Sequence, residues 1–166
     1  MRRSARPRPG RSAPKRRGAK RPARRRAKIV HFRMASRRDA VAPTVDRVLE
    51  AVAPAKLGED RLTDLAVAVA EALSNAAVHG HGLDSRRRVR VAVAVSPGCA
   101  VVEVSDSGGG FDSGAAPDPT DPSRHLIPRG RGIFLMRRLV DEVAYNAAGN
   151  TVRLTVRQSP DGDGGP

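Results

Sequence analysis

"AVAEALSNAAVHGHG", residues 68–82, decides how the rest of the chain is read. Side chains four residues apart share a helical face. Glu71, Asn75 and His79 therefore form one polar stripe on a segment of helical periodicity. Their neighbours Ala68, Ala72, Ala76 and Val78 are small or apolar, and no Lys or Arg occurs between Leu65 and Val78. A water-facing stripe normally carries long charged side chains, so this one reads as partly enclosed. Asn offers an oxygen to a hard cation, and Glu accepts a proton or orients a water. The same pattern also fits a plain polar edge on an alanine-rich helix, and this stretch alone does not separate the two.

Working outward, Leu62, Leu65, Ala66, Val69 and Leu73 supply the apolar stripe of that helix, and Gly80 and Gly82 are expected to end it. Upstream, Val41, Val45, Val48, Leu49 and Val52 repeat at helical spacing, with Pro43 tolerated near the start. "KIVHFRM" (28–34) before them reads as a short strand. Downstream, Val89, Val91, Val93 and Val95 alternate at period two, "SPG" turns the chain and "CAVVEVSD" runs back, which makes an antiparallel hairpin. A Gly-, Pro- and Asp-rich stretch over 106–129 is too long for a simple connection. "GIFLMRRLVDEV" reads as a helix, and "VAYN", "AAGN" and "TVRLTVR" as a second hairpin. Strands of one sheet with helices on one face predict a two-layer α/β sandwich.

The net charge of +14 belongs to one end of the chain. Residues 1–28 hold fourteen Lys or Arg and no acid; the remainder holds seventeen of each sign. That segment is poor in apolar residues and rich in Pro, Gly and like charge, so a disordered basic tail is expected over 1–27, with a polyanion such as nucleic acid as its conceivable contact. An ordered domain is expected over 28–158 and a disordered tail over 159–166. Trp is absent and Tyr145 is the only tyrosine, so a row of base-stacking aromatics is not available. No apolar run approaches the ~20 residues of a membrane span. A single cysteine, Cys99, excludes an internal disulfide and a cysteine-based zinc site and fits a reducing cytoplasm.

Two further segments could carry chemistry. In "VEVSDSGGGFD" (102–112), Asp106 closes a strand ahead of Gly108, Gly109 and Gly110. A carboxylate there can accept a hydrogen bond from a planar amine, and the glycines permit close approach of a ligand. In "RGRGIFLMRRL" (129–139), Gly130 and Gly132 lead into a helix whose free N–H groups and positive dipole end suit phosphate, with Arg129 and Arg131 adding charge. The segment lacks the Rossmann glycine pattern and the Gly-Lys-Ser/Thr of a Walker A loop.

Each pattern is weak alone, but their order is specific. An E-x-x-x-N helix, a strand ending in D-x-G-x-G and a Gly-x-Gly helix start resemble the N, G1 and G2 boxes of the GHKL ATPase superfamily, which shares the Bergerat fold. "AVAEALSNAAVHG", "VSDSGGGFD" and "GRGIFLMRRLVDEV" are most similar to the bacterial serine/threonine kinases that act as anti-sigma factors. The resemblance covers about residues 28–157 and implies a mixed sheet with helices on one face. It implies that Asn75 coordinates Mg²⁺ bridging the ATP phosphates, that Glu71 is the general base and that Asp106 accepts a hydrogen bond from the adenine amino group. It further implies that Gly108 and Gly110 shape the adenine pocket, and that Gly130, Arg131 and Gly132 meet the phosphates, although Arg131 could instead face a partner. His79 is expected to hold the helix end rather than act chemically, and residues 112–129 to form an ATP lid.

The implied activity is phosphorylation of a STAS-type anti-anti-sigma protein by a cytoplasmic homodimer that alternately holds a sigma factor. With only a basic segment and one strand ahead of the N-box, a sensor histidine kinase is not expected. The chain is likewise short for the transducer domains of gyrase, chaperone or mismatch-repair relatives. The rival readings are a nucleotide-dependent binding module without phosphotransfer, and nucleic-acid binding through residues 1–28.

Overall fold

The alternating valines of the predicted hairpin form the centre of a five-stranded sheet in the computed structural model, which describes residues 28–110 and 128–159. The basic segment, most of the expected lid and residues 160–166 lie outside the described residues. The order is β1 (Lys28–Ala35), α1 (Val41–Val52), α2 (Glu59–Asn75), β2 (Arg88–Ser96), β3 (Cys99–Ser105), α3 (Pro128–Leu139), β4 (Glu142–Tyr145) and β5 (Thr151–Arg157). The strands lie side by side as β1-β2-β3-β5-β4.

Period-two patterning fixes the two faces of this sheet. Val89, Val91, Val93 and Val95 point into the core, while Arg88 and Arg90, on either side of Val89, are exposed. Ala100, Val102 and Val104 of β3 and Val152, Leu154 and Val156 of β5 continue the buried face. Val48 and Val52 of α1, Leu65, Val69 and Leu73 of α2 and Met136 of α3 close over it, giving the expected two-layer arrangement. Each fully buried Leu or Val contributes about 1.5–3 kcal/mol, so this continuous cluster is the main stabilising element. On the outer face Arg153 pairs with Glu103 at 3.1 Å, an exposed contact of little energetic weight.

The expected mixed sheet is corrected: all four ladders are antiparallel. The reason lies in the last hairpin. β3 and β4, joined through α3, do run parallel, but β5 folds back between them and pairs with both. The parallel partners therefore never touch.

Arg61, in the first turns of α2, ties the helical layer to the sheet end. Its guanidinium donates to the Asp141 carboxylate, to the Leu139 carbonyl at 3.4 Å and to the Arg157 carbonyl at 3.2 Å. Asp141 also accepts the Arg157 N–H at 2.7 Å. Arg61→Ala leaves two carbonyls and a carboxylate without this donor, so a loss of about 1–3 kcal/mol is expected. Thermal unfolding should show it as a fall of several degrees in Tm; an unchanged Tm would contradict the assignment.

Candidate functional site

The end of α2 is not a simple stop. After Asn75 the chain widens into one π turn, Ala76–Gly80, in which the His81 N–H reaches the Ala76 carbonyl at 3.0 Å. Such turns redirect side chains and recur at functional sites. The break comes at Gly82 and Leu83, with φ of 59° and 60°. Gly82 thus ends the helix as expected. Gly80 does something else: a Cβ there would fall on the Asp106 carboxyl group.

That close approach brings the first two predicted segments together. Asp106, at the end of β3, donates its N–H to the Asn150 carbonyl at 2.9 Å and accepts the Gly108 N–H on Oδ1 at 2.7 Å. Gly108 lies against the Gly80 carbonyl so closely that any side chain would collide with backbone. Gly110 has φ of 69° and packs on the Ala148 carbonyl in the β4–β5 turn. The glycines after Asp106 are therefore needed at two of three positions for contact with neighbouring backbone.

The third segment meets the first at Glu71. The Asn75 amide donates from Nδ2 to Glu71 Oε1 at 3.1 Å. A Cβ on Gly132 would land on the same carboxylate, so glycine lets the start of α3 lie on α2 there with the Glu71 side chain in place. Gly130 and Arg131 fall in that first turn, ahead of Gly132; the Arg131 side chain lies outside the described residues.

Between these elements is a cleft of about 150 Å³, lined among others by Asn75, His79, Asp106, Gly110, Ile133 and Tyr145. Burial pushes the Tyr145 hydroxyl up to about 12, with Arg137 opposing and Glu71 reinforcing the shift, so it is protonated at neutral pH. Glu71, bonded to Asn75, and Gly132, packed against Glu71, are not among the residues that line the cleft.

His79 does not hold the helix end; that expectation is corrected. It is exposed on the cleft rim, whereas His81 is 4% exposed and makes the end-fixing bonds. The extra residue of the π turn is the reason, because it changes which side chains face the sheet. Sequence reasoning also missed Tyr145, Asn150 and Arg87. The one available signal for His81 was its place between two glycines in "HGHG", where a polar side chain has room to reach across.

Among the described residues no three His, Cys, Asp or Glu side chains gather as a metal cage. Glu71 and Asn75 do present hard oxygens beside the cleft. One or two protein oxygens completed by substrate phosphates is how Mg²⁺ is usually held, so this donor set fits that ion. Among the described residues no helix is long and apolar enough to cross a membrane.

The profile of the histidine kinase-like ATPase domain family matches residues 34–156. The chain is 35% identical over 103 residues to the serine-protein kinase RsbW of Bacillus subtilis, an overlap of 58% of this chain and 64% of that protein. It is 29% identical over 101 residues to the anti-sigma F factor of the same organism, across 58% of this chain and 69% of that one. The chain thus spans about two-thirds of the length of these relatives. A crystal structure of the RsbU and RsbW domains of a Mycobacterium tuberculosis protein superposes with a TM-score of 0.54 and 22% identity. That match covers 78% of this chain and 32% of the other, and bears on the fold.

Proposed function

Because the chain belongs to the histidine kinase-like ATPase domain family, we propose that it binds Mg-ATP in this cleft and transfers the γ-phosphoryl group to a protein serine or threonine. The observation that carries the reading is the convergence of three separate segments. Asn75, Asp106, Gly110 and Ile133 line one cavity, and Glu71 lies beside it, bonded to Asn75 and packed against Gly132.

Each residue then has a task its surroundings suit. Asp106 takes the adenine amino group: the Gly108 N–H occupies Oδ1 and leaves Oδ2 to accept. Gly108 and Gly110 bring the loop against the Gly80 carbonyl and the β4–β5 turn, which shapes the pocket around the base. Asn75 spends its amide nitrogen on Glu71, which leaves Oδ1 for Mg²⁺. The ion, when bound, spreads the negative charge that develops on the phosphates. The first turn of α3, with Gly130, Arg131 and Gly132, supplies backbone N–H groups and positive charge to the same end. Glu71 keeps Oε2 for the proton of the substrate hydroxyl.

The similarity to RsbW and to an anti-sigma F factor supports the finer assignment. The protein acts as an anti-sigma factor, its substrate is a STAS-type antagonist, and it works in the cytoplasm as a homodimer. The basic segment 1–28 adds at most a salt-dependent contact with nucleic acid. The test is label transfer from γ-labelled ATP to a candidate STAS-type protein. Phosphoserine or phosphothreonine on the partner is the expected product. A partner that binds in the presence of nucleotide yet never gains label would leave a binding switch in place of a kinase.

A further inference from the structure

His81 is tethered at both ring nitrogens near the cleft, and none of the roles assigned above uses it. It lies 4% exposed just past the π turn. The Ser107 backbone N–H donates to its Nε2 at 2.9 Å, so that nitrogen carries a lone pair. The proton of the neutral ring is then on Nδ1, which donates to Ser36 Oγ at 2.6 Å; Ser36 is fully buried at the end of β1. One imidazole thus connects β1, the end of α2 and the loop between Asp106 and Gly108. Arg87 acts alongside, donating to the Ser107 carbonyl at 2.6 Å and reaching the Gly80 carbonyl at 3.5 Å.

We propose that His81 is the positioning residue of the adenine-accepting loop. As a neutral imidazole it holds the Ser107 N–H and so fixes the turn that aims the Asp106 carboxylate. The proposal rests on the nucleotide reading above. It follows from the bond inventory: Asp106 is anchored by its own N–H to Asn150, Gly108 bonds back to Asp106, and among the described residues Ser107 between them is held from the His81 and Arg87 side alone. A protonated ring has no acceptor, so it must release the Ser107 N–H; its Nε2–H turns instead to the Ser107 hydroxyl, 3.1 Å away, which rotates the turn, and imidazolium and Arg87 then stand beside each other as like charges.

The charged groups facing the ring are Arg87 from the segment before β2, Asp84 from the preceding turn and Asp106 from the end of β3. Desolvation by burial lowers the His81 value most and Arg87 lowers it further, while Asp106 and Asp84 raise it; the net direction is down. A base held below its unfolded value leaves the unfolded chain binding more protons. Stability and the aimed loop are therefore complete above the ordinary histidine value near 6.5 and are lost as pH falls from there through the lower folded value.

The test uses the full chain and Mg-ATP titrated at pH 7.5 and pH 5.5, with wild type, H81Q and H81N. Glutamine places an acceptor where Nε2 stands and does not titrate. Asparagine reaches only the Nδ1 position and loses Ser107. H81Q is expected to rescue binding at pH 7.5. Wild type should weaken on acidification more than H81Q, by up to about tenfold, the ceiling at pH 5.5 for a ring that titrates below 6.5, a comparison that cancels titration of the nucleotide phosphates. H81N should bind roughly tenfold more weakly at both pH values. Parallel pH profiles for wild type and H81Q would overturn the proposal, as would an H81N variant of wild-type affinity. If H81N does not fold, the wild-type and H81Q profiles decide alone. If folded wild type binds no nucleotide at pH 7.5, the nucleotide reading fails. The tether is then read separately, from whether the Ser107 amide resonance follows the His81 titration.

Discussion

Glu71→Gln is expected to slow phosphoryl transfer by about 10²–10⁴-fold, the usual worth of a general base, while Mg-ATP affinity stays close to that of wild type. The two halves of the result follow from different atoms. Glutamine has the shape of glutamate and retains an oxygen for the Asn75 amide, so the 3.1 Å contact and the packing against Gly132 survive. What it loses is the carboxylate able to take a proton. Single-turnover transfer from labelled ATP to the partner measures the first half and calorimetry the second. Glu71→Ala would be the poorer experiment, because it also removes the hydrogen-bond partner of Asn75. Transfer at the wild-type rate in Glu71→Gln would reduce Glu71 to a packing and hydrogen-bonding residue.

The second large effect is expected at a residue with no functional group. In Gly80→Ala the new methyl occupies the space of the Asp106 carboxyl. Asp106 cannot retreat as a whole, because its N–H is bonded to the Asn150 carbonyl. The side chain must rotate out of the position that aims it, and Gly108, whose amide is bonded to Oδ1, moves with it. Overpacking of this kind costs about 1–3 kcal/mol in stability, and the lost nucleotide hydrogen bond weakens binding by roughly tenfold or more. Gly82→Ala is the control. That position has φ of 59° and nothing within 4 Å of the added atom, so it should lose about 1 kcal/mol of stability and no affinity beyond that. Equal affinities for the two variants would contradict the steric account of Gly80.

Period-two valines and the helical stripes made the layers legible before any coordinates, because burial on one face leaves that mark on local sequence. The three site segments were legible for a related reason: each needs particular residue types within a few positions, such as Glu71 and Asn75 one turn apart. Properties set by distant partners were not. Whether the sheet is mixed depends on where β5 inserts, and nothing within 151–157 states that it separates β3 from β4. His79 and His81 look equivalent in "HGHG"; only the π turn decides which faces inward. His81 finds Ser36 at a separation of 45 residues and Ser107 at 26. Tyr145 and Asn150 are ordinary hairpin residues until β4 and β5 dock beside the Asp106 loop. Gly80 carries no signal of Asp106, since the need for glycine arises from an atom 26 positions along the chain.

The most direct test of the central claim is calorimetric titration of Mg-ATP into the folded protein and into Asp106→Asn. The amide keeps the size of the carboxyl but weakens acceptance of the adenine amino group, so affinity should fall by roughly tenfold or more, the equivalent of about 1–3 kcal/mol. Binding of equal strength in the two proteins would place the nucleotide elsewhere. No binding to the folded wild type would mean that the cleft between α2, β3 and α3 is not a nucleotide site.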